Sequence, residues 1–369
     1  MHLVREFSLI KPKRSIQNFS SPSFWIFRLV FKRTKVLKKF MILALFVGLL
    51  SARVIVDSYG KQVQIPDNLT RVSPLHHTGL QISLMLGSKD KVVFNSPRVP
   101  PTPLLDRVFP EIRLNPNKSG SHTSSTETII ASKPQVVFGS TSSLFDEGAK
   151  KQLETAGIKV IILPSSLRNL DEIKESVRVI GEIYGGESIQ KAKKWTKFTE
   201  DNVKFVSQRV AKIKNKKRVL YLSVEAGSLT VMGDRFAGAE YIRLAGGINT
   251  STKLTHKIWN IVDAEQVLLL DPDVIISNSQ DSVAQILANP AFKWLKAVQN
   301  KQIFVVPSGV FSWIPPNAEG TMQVLWLAKI LYPELFEDLN LEQKISEFYA
   351  MLYDYKLSDS ELKEILNPK

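Results

Sequence analysis

The chain contains no cysteine. That excludes disulfides, a thiolate nucleophile, Cys-ligated zinc and iron–sulfur clusters. A lipid-modified Cys at the end of an export signal is likewise not expected. Histidine is scarce, with five residues in 369. The chain also lacks the Gly-rich phosphate loop, the Gly-x-Ser-x-Gly elbow and the His-Glu-x-x-His helix, each of which supplies a specific catalytic geometry. An enzyme therefore has little to be built from here. Acids are sparse at the start: residues 1–52 hold ten of the 49 Lys/Arg and one of the 35 Asp/Glu, leaving +5 of the formal +14 for the remainder. The basic balance is thus concentrated at one end, and a nucleic-acid partner is not expected. The local cluster Lys214–Arg218 reads as a solvated stretch before a strand.

That basic segment runs into Phe40-Met-Ile-Leu-Ala-Leu-Phe-Val-Gly-Leu-Leu50 and then Ser51-Ala52. Cations, a short apolar run and a small-residue exit predict a secretory signal peptide, the run being short of the roughly 20 residues a spanning helix needs. An uncleaved anchor is the alternative. Residues 1–35 are long for the charged region of such a signal, so translation is expected to start nearer Val36 or Met41. An exported, Cys-free chain of this size fits the periplasm.

The most informative feature present is a pattern that occurs twice. Residues 126–140 read Thr-Glu-Thr-Ile-Ile-Ala-Ser-Lys-Pro-Gln-Val-Val-Phe-Gly-Ser, and residues 264–278 read Ala-Glu-Gln-Val-Leu-Leu-Leu-Asp-Pro-Asp-Val-Ile-Ile-Ser-Asn. Each copy sets a Glu seven residues before a Pro (Glu127/Pro134, Glu265/Pro272) and then a β-branched apolar run. Acids suit a helix N-terminus, Pro stops a helix, and such runs suit buried parallel strands. Each copy predicts a short helix feeding a strand, and two copies predict two similar lobes with a cleft between them.

Around these copies strands alternate with helices. A hairpin is expected at Arg53–Asp57 and Lys61–Ile65, and strands at Asn68–Pro74, Lys91–Phe94, Lys159–Leu163, Arg218–Ser223, Ser228–Met232 and Ile303–Pro307. Residues 187–213 contain no Gly or Pro and carry Ile189, Ala192, Trp195, Phe198, Val203, Val206 and Val210 on one stripe. They predict a single amphipathic helix of about 40 Å, which lies between the two copies and reads as their connector. The fold class expected is α/β, two Rossmann-like lobes joined by one long α-helix, with a ligand cleft between the lobes. The expected divisions are 1–52 (basic extension plus signal peptide), 53–186 (N-terminal lobe), 187–214 (interlobe helix) and 215–369 (C-terminal lobe with C-terminal helices).

Taken with Ala245-Gly-Gly-Ile-Asn249, Trp313, Glu319 and Leu325–Glu334, this layout resembles the periplasmic substrate-binding proteins of iron–siderophore, cobalamin and related metal-complex ABC importers, over about residues 54–355. The resemblance implies a ligand held in the cleft, no covalent cofactor, small opening motions, a monomer, and delivery to a permease with its ATPase at the inner membrane. It implies that Glu127 and Glu265, one per lobe, dock onto permease arginines as a two-point electrostatic clamp. The residues alone would equally have each Glu merely favour its own helix N-terminus.

The histidines of the expected mature chain, His76, His77, His122 and His256, all fall in predicted loops, where open α/β folds place ligands. Imidazole suits borderline metals. His76 and His77 are the candidate metal ligands, with exposed loop histidines as the alternative. The resemblance makes Arg98 and Arg235 anion contacts, since a guanidinium pairs bidentately with oxygens; a surface salt bridge fits either equally. Trp259, Trp313 and Phe311 would form an aromatic cleft wall or else belong to the core. The expected ligand is an iron chelate. Because small polar residues are usual in the family's first loop, His76-His77 also raises a nickel or cobalt species, or a molybdate-type oxyanion.

Overall fold

The computed structural model describes residues 52–95, 102–115, 125–140, 146–164, 169–254 and 257–368. The expected signal peptide, Arg98, His122 and His256 lie outside them. Among the described residues no helix is long and apolar enough to cross a membrane.

The hairpin forms as expected, β1 (Ala52–Val56) and β2 (Gln62–Pro66) turning through Gly60, whose φ of 79° suits glycine. The first lobe is a parallel sheet in the order β3 (Val72–Pro74), β4 (Val136–Ser140), β5 (Lys159–Leu163). Every residue of β4 is buried, as a central parallel strand requires. The strand expected at Lys91–Phe94 does not form. Lys89–Lys91 is a 3-10 turn, and a single bridge, Val72 to Val92, is all the sheet gains there. The chain runs on to Pro97 and Pro100, which have no N–H with which to continue a ladder.

The second lobe is a six-stranded mixed sheet. β6 (Arg218–Glu225) lies at its centre, parallel to β10 (Val274–Ser277) and to β8 (Ile248–Asn249). β7 (Ser228–Met232) and β9 (Trp259–Val262) continue it antiparallel on one side, and β11 (Ile303–Val305) closes the other. The two repeat strands, β4 and β10, therefore belong to separate sheets.

The duplication holds at the level of atoms. Helices Thr126–Ala131 and Ala264–Leu270 carry the repeat glutamates in their first turns, capped by the side chains of Ser125 and Asp263. The residue before each Pro is left-handed, Lys133 at φ 49° and Asp271 at φ 34°. The proline ring disfavours the right-handed helical region for its predecessor, so neither residue can extend its helix. The residue after each Pro receives backbone N–H groups at the start of the neighbouring strand: Gln135 from Arg71 (3.0 Å) and Asp273 from Arg218 (2.8 Å). The guanidinium groups of those same arginines then donate to the carbonyls that end the repeat helices, Arg71 to Ser132 and Lys133, Arg218 to Leu270.

The long helix runs Glu187–Val210 and buries Ala192, Trp195, Phe198, Val206 and Val210. Its Trp195 indole donates to Ala318 O at 3.0 Å. One large core, containing Trp195, Trp313 and Tyr349, joins the lobes, while each sheet keeps a smaller core under its repeat helix, Ile129 in one and Val267 with Leu270 in the other. Each such aliphatic burial is worth roughly 1.5–3 kcal/mol.

The expected C-terminal helices form, interrupted twice. Helix Leu341–Phe348 continues as a π-turn at Tyr349–Tyr353 and stops at Asp354, φ 52°, before helix Asp359–Leu366. This tail runs back over the first lobe: Tyr353 accepts from Gln81, and Arg107 pairs with Glu361 and Glu364.

Candidate functional site

Parallel strands deliver their carboxyl ends to one edge, and in open α/β sheets that edge is where ligands bind. Here β3 delivers His76 and His77, β4 delivers Ser140, and β5 delivers Leu163 and Pro164. Together with Thr78, Gly79, Ile82 and Ser176, all of these except His77 line one small cavity. No carboxylate is among the lining residues. Gly79 is required by close approach, since a Cβ there would sit 2.9 Å from the Phe138 ring.

His76 is the N-cap of helix His77–Met85, with extended φ, ψ of −153°, 142°. Its Nδ1 accepts the Thr78 N–H at 3.3 Å, which leaves the proton of the neutral ring on Nε2. The two rings lie 4.1 Å apart, tilted by 34°. Burial lowers the His76 pKa to about 3, with a further push from His77, and burial lowers that of His77 to about 4. Both imidazoles are therefore neutral at any periplasmic pH. The Nε2 of His77 is buried and meets no hydrogen-bond partner within the protein. Among the described residues no group of three or more His, Asp or Glu is arranged to hold a metal ion.

On the second lobe Arg235 is exposed in the loop between β7 and helix Ala237–Leu244. Its neighbour Phe236 packs on Trp259 at 5.8 Å and on Tyr221 at 5.9 Å. Trp259 remains 43% exposed. Arg235 and Trp259 thus share one corner, and the helix that follows reaches the first lobe, where Glu240 accepts the Leu170 N–H at 2.6 Å.

The expectation of Trp313 as a cleft wall is corrected. Trp313 is fully buried and its indole N–H donates to Glu319 Oε1 at 3.1 Å, so its surface and its donor are both spent inside the interlobe core. Phe311 is buried beside it. Sequence reasoning missed Glu319, Gln81, Tyr349 and Tyr353, which form a polar network in that core. One signal was available: Gln81 interrupts the apolar run Leu80–Met85.

Glu127 and Glu265 are both exposed at the start of their helices. Its own backbone N–H, then the Ser125 hydroxyl, hold the Glu127 carboxyl below the usual carboxylate range. A surface groove of about 650 Å³ lies between helix Leu170–Tyr184 and the connecting helix. Several of its charges pair with one another, Arg178 with Glu175 and Glu182, Lys174 with Asp171 and Glu200. It is an ion-paired helix seam.

Two lobes, one connecting helix and a buried edge of neutral polar groups define a solute-binding protein. The chain belongs to the periplasmic binding protein family, which matches it over residues 72–310. Among its relatives is the molybdate-binding protein MolA of Haemophilus influenzae, 25% identical over 329 residues, covering 82% of this chain and 92% of that one. The solved structure of MolA bound to molybdate superposes with a TM-score of 0.70, at 24% identity, covering 83% of this chain and 99% of that one. A periplasmic solute-binding protein from Veillonella parvula gives a TM-score of 0.73 at 22% identity, covering 86% and 97%. CeuE of Helicobacter pylori with Ni(II) bound gives 0.65 at 18%, covering 85% and 99%. The family is periplasmic and its members bind solutes.

Proposed function

We propose that this protein is the periplasmic component of an ABC importer and captures a molybdate-type oxyanion at the carboxyl edge of the first lobe's sheet. The hydrogen-bond polarity of His76 carries this reading. With Nδ1 accepting from Thr78, Nε2 is a donor. To ligate a metal through Nε2, the proton would have to move to Nδ1 and break the helix cap. An oxyanion needs no such change. It takes N–H and O–H donors, it is favoured at a helix N-terminus, and the lining offers no carboxylate to repel it. The MolA relationship supports the same choice. Arg235 from the second lobe, and Arg98 by its place in the sequence, would supply counter-charge.

A nickel or cobalt species is the second reading, favoured by the unpartnered Nε2 of His77 and by the 4.1 Å ring separation. The iron chelate expected from the sequence is tested alongside them. Delivery follows from the paired carboxylates: Glu127 and Glu265 engage a cationic permease surface at two points.

Calorimetry with molybdate, nickel chloride, nickel–histidine and a ferric siderophore tests the reading. Saturable 1:1 binding of molybdate is expected, with thermal stabilisation of about 2.7 kcal/mol at a hundredfold excess over the dissociation constant. Tight nickel binding with no response to molybdate would overturn it.

A further inference from the structure

Glu319 is wholly buried between the lobes, and every group bonded to it is a donor. Tyr349 Oη (2.7 Å) and the Trp313 indole (3.1 Å) donate to Oε1, while Tyr353 Oη (3.1 Å) and the Phe311 N–H (3.3 Å) donate to Oε2. Burial and these four donors are the largest influences on its charge. The carboxylate is packed so tightly that a Cβ on Gly309 would lie 1.8 Å from Oε1. Tyr349 and Tyr353, at the two ends of the π-turn, reach one oxygen each.

The same network ends on the helix that bears His76 and His77. Tyr353 Oη accepts from Gln81 Nε2 at 2.7 Å, Gln81 Oε1 accepts from the Ala318 N–H at 3.0 Å, and Thr78 donates to Pro316 O at 2.7 Å. With the carboxylate ionised, both tyrosine hydroxyls have an acceptor and a donor. A proton on Glu319 must be donated to Tyr349 or Tyr353, whose own proton then has no acceptor. Tyr349 already accepts from Val310 N–H, and the Gln81 oxygen is engaged.

We propose that Glu319 is a positioning residue whose ionisation, relayed through Tyr353 and Gln81, holds the histidine-bearing helix in its binding geometry, so that acidification releases that helix and lowers affinity for the solute. The affinity part rests on the oxyanion reading above. Burial raises the Glu319 pKa to about 7 against the pull of its four donors, which places both forms within reach of ordinary external pH. The titratable and charged groups nearest this network are Tyr349, Tyr353, His76, His77 and Lys191. Tyr349 and Tyr353 are driven further up by burial, His77 stays neutral, and Lys191 is engaged with Leu352 O and Asp354.

The test has a ligand-free arm and a molybdate arm. In the ligand-free protein, tryptophan fluorescence between pH 5 and 8.5 is expected to follow one protonation near pH 7, lost in Trp313→Phe and in Glu319→Gln. Over the same range amide protection of helix His77–Met85, corrected for intrinsic exchange, is expected to fall on acidification in the wild type and not in Tyr353→Phe. That variant cuts the relay while leaving Glu319 three donors and the fluorescence transition intact. For molybdate, affinity should fall by up to tenfold per pH unit below the midpoint, as linkage to one proton dictates, and lie flat in Tyr353→Phe. A pH-invariant Trp313 signal, or pH-dependent protection that survives in Tyr353→Phe, would overturn the proposal. If molybdate binds at no pH, the oxyanion reading fails alone, because the fluorescence and exchange arms still decide the relay. Should Glu319→Gln fail to fold, Trp313→Phe and Tyr353→Phe suffice.

Discussion

The two repeat copies share a frame and differ in everything attached to it. In both, a side-chain-capped helix with an exposed glutamate leads through a left-handed residue and a proline to a buried parallel strand, clasped by an arginine from the neighbouring strand. The first copy sits in a three-stranded sheet whose next strand end carries two half-buried, neutral histidines; the second sits in a six-stranded mixed sheet whose corner carries an exposed arginine and tryptophan. What is common positions the two carboxylates. On the reading proposed above, docking belongs to the duplicated frame and specificity to the unduplicated loops.

The hardest test of that division removes what the halves share. Glu127→Ala with Glu265→Ala should abolish solute uptake by cells while leaving solute affinity unchanged; normal uptake in the double variant would dissolve the clamp. Next comes what they do not share. His76→Ala or His77→Ala should weaken molybdate binding at least tenfold in calorimetry, whereas the same change at Trp313 should act on stability rather than affinity. His76→Ala should additionally cost about 1 kcal/mol in chemical denaturation through loss of the helix cap.

A third comparison sets the arginines against each other. Arg218→Ala should destabilise by about 1–3 kcal/mol and Arg71→Ala by less, because Arg218 is half-buried and Arg71 exposed. Equal losses would show that the two clasps are not distinguished by burial. The last comparison is one of pH. The folded-state pKa values of His76 and His77 lie below their unfolded values, so the unfolded chain binds more protons below pH 6.5. Stability should therefore fall as pH drops from 6.5 towards 4, by about 4 kcal/mol at pH 5 for the pair. The raised pKa of Glu319 acts in the opposite sense between about 7 and 4.5. Urea midpoints of a His76→Gln, His77→Gln double variant should lose the histidine slope and expose the opposite one.

Much of the frame was legible in the sequence because its signals are local. Pro134 and Pro272 punctuate, β-branched runs mark the buried strands, and an apolar stripe without Gly or Pro marks the connecting helix. Lys159–Leu163 and Ser228–Met232 form as strands with the bounds expected. The expected strand at Lys91–Phe94 failed because an apolar run says nothing about whether a partner edge exists. Trp313 was misplaced for a related reason: an aromatic in a polar, proline-rich loop looks exposed until the acceptor for its N–H is known. Glu319 was invisible as a core residue because its four donors come from residues 311 to 353, and only the folded chain brings them together.

The returning tail also has a consequence for the order of assembly. Tyr353, which bonds both Glu319 and Gln81, lies 272 residues after Gln81 in the chain. The junction between the lobes is therefore a long-range closure, and contacts of such high sequence separation must wait for the loop entropy between them to be offset.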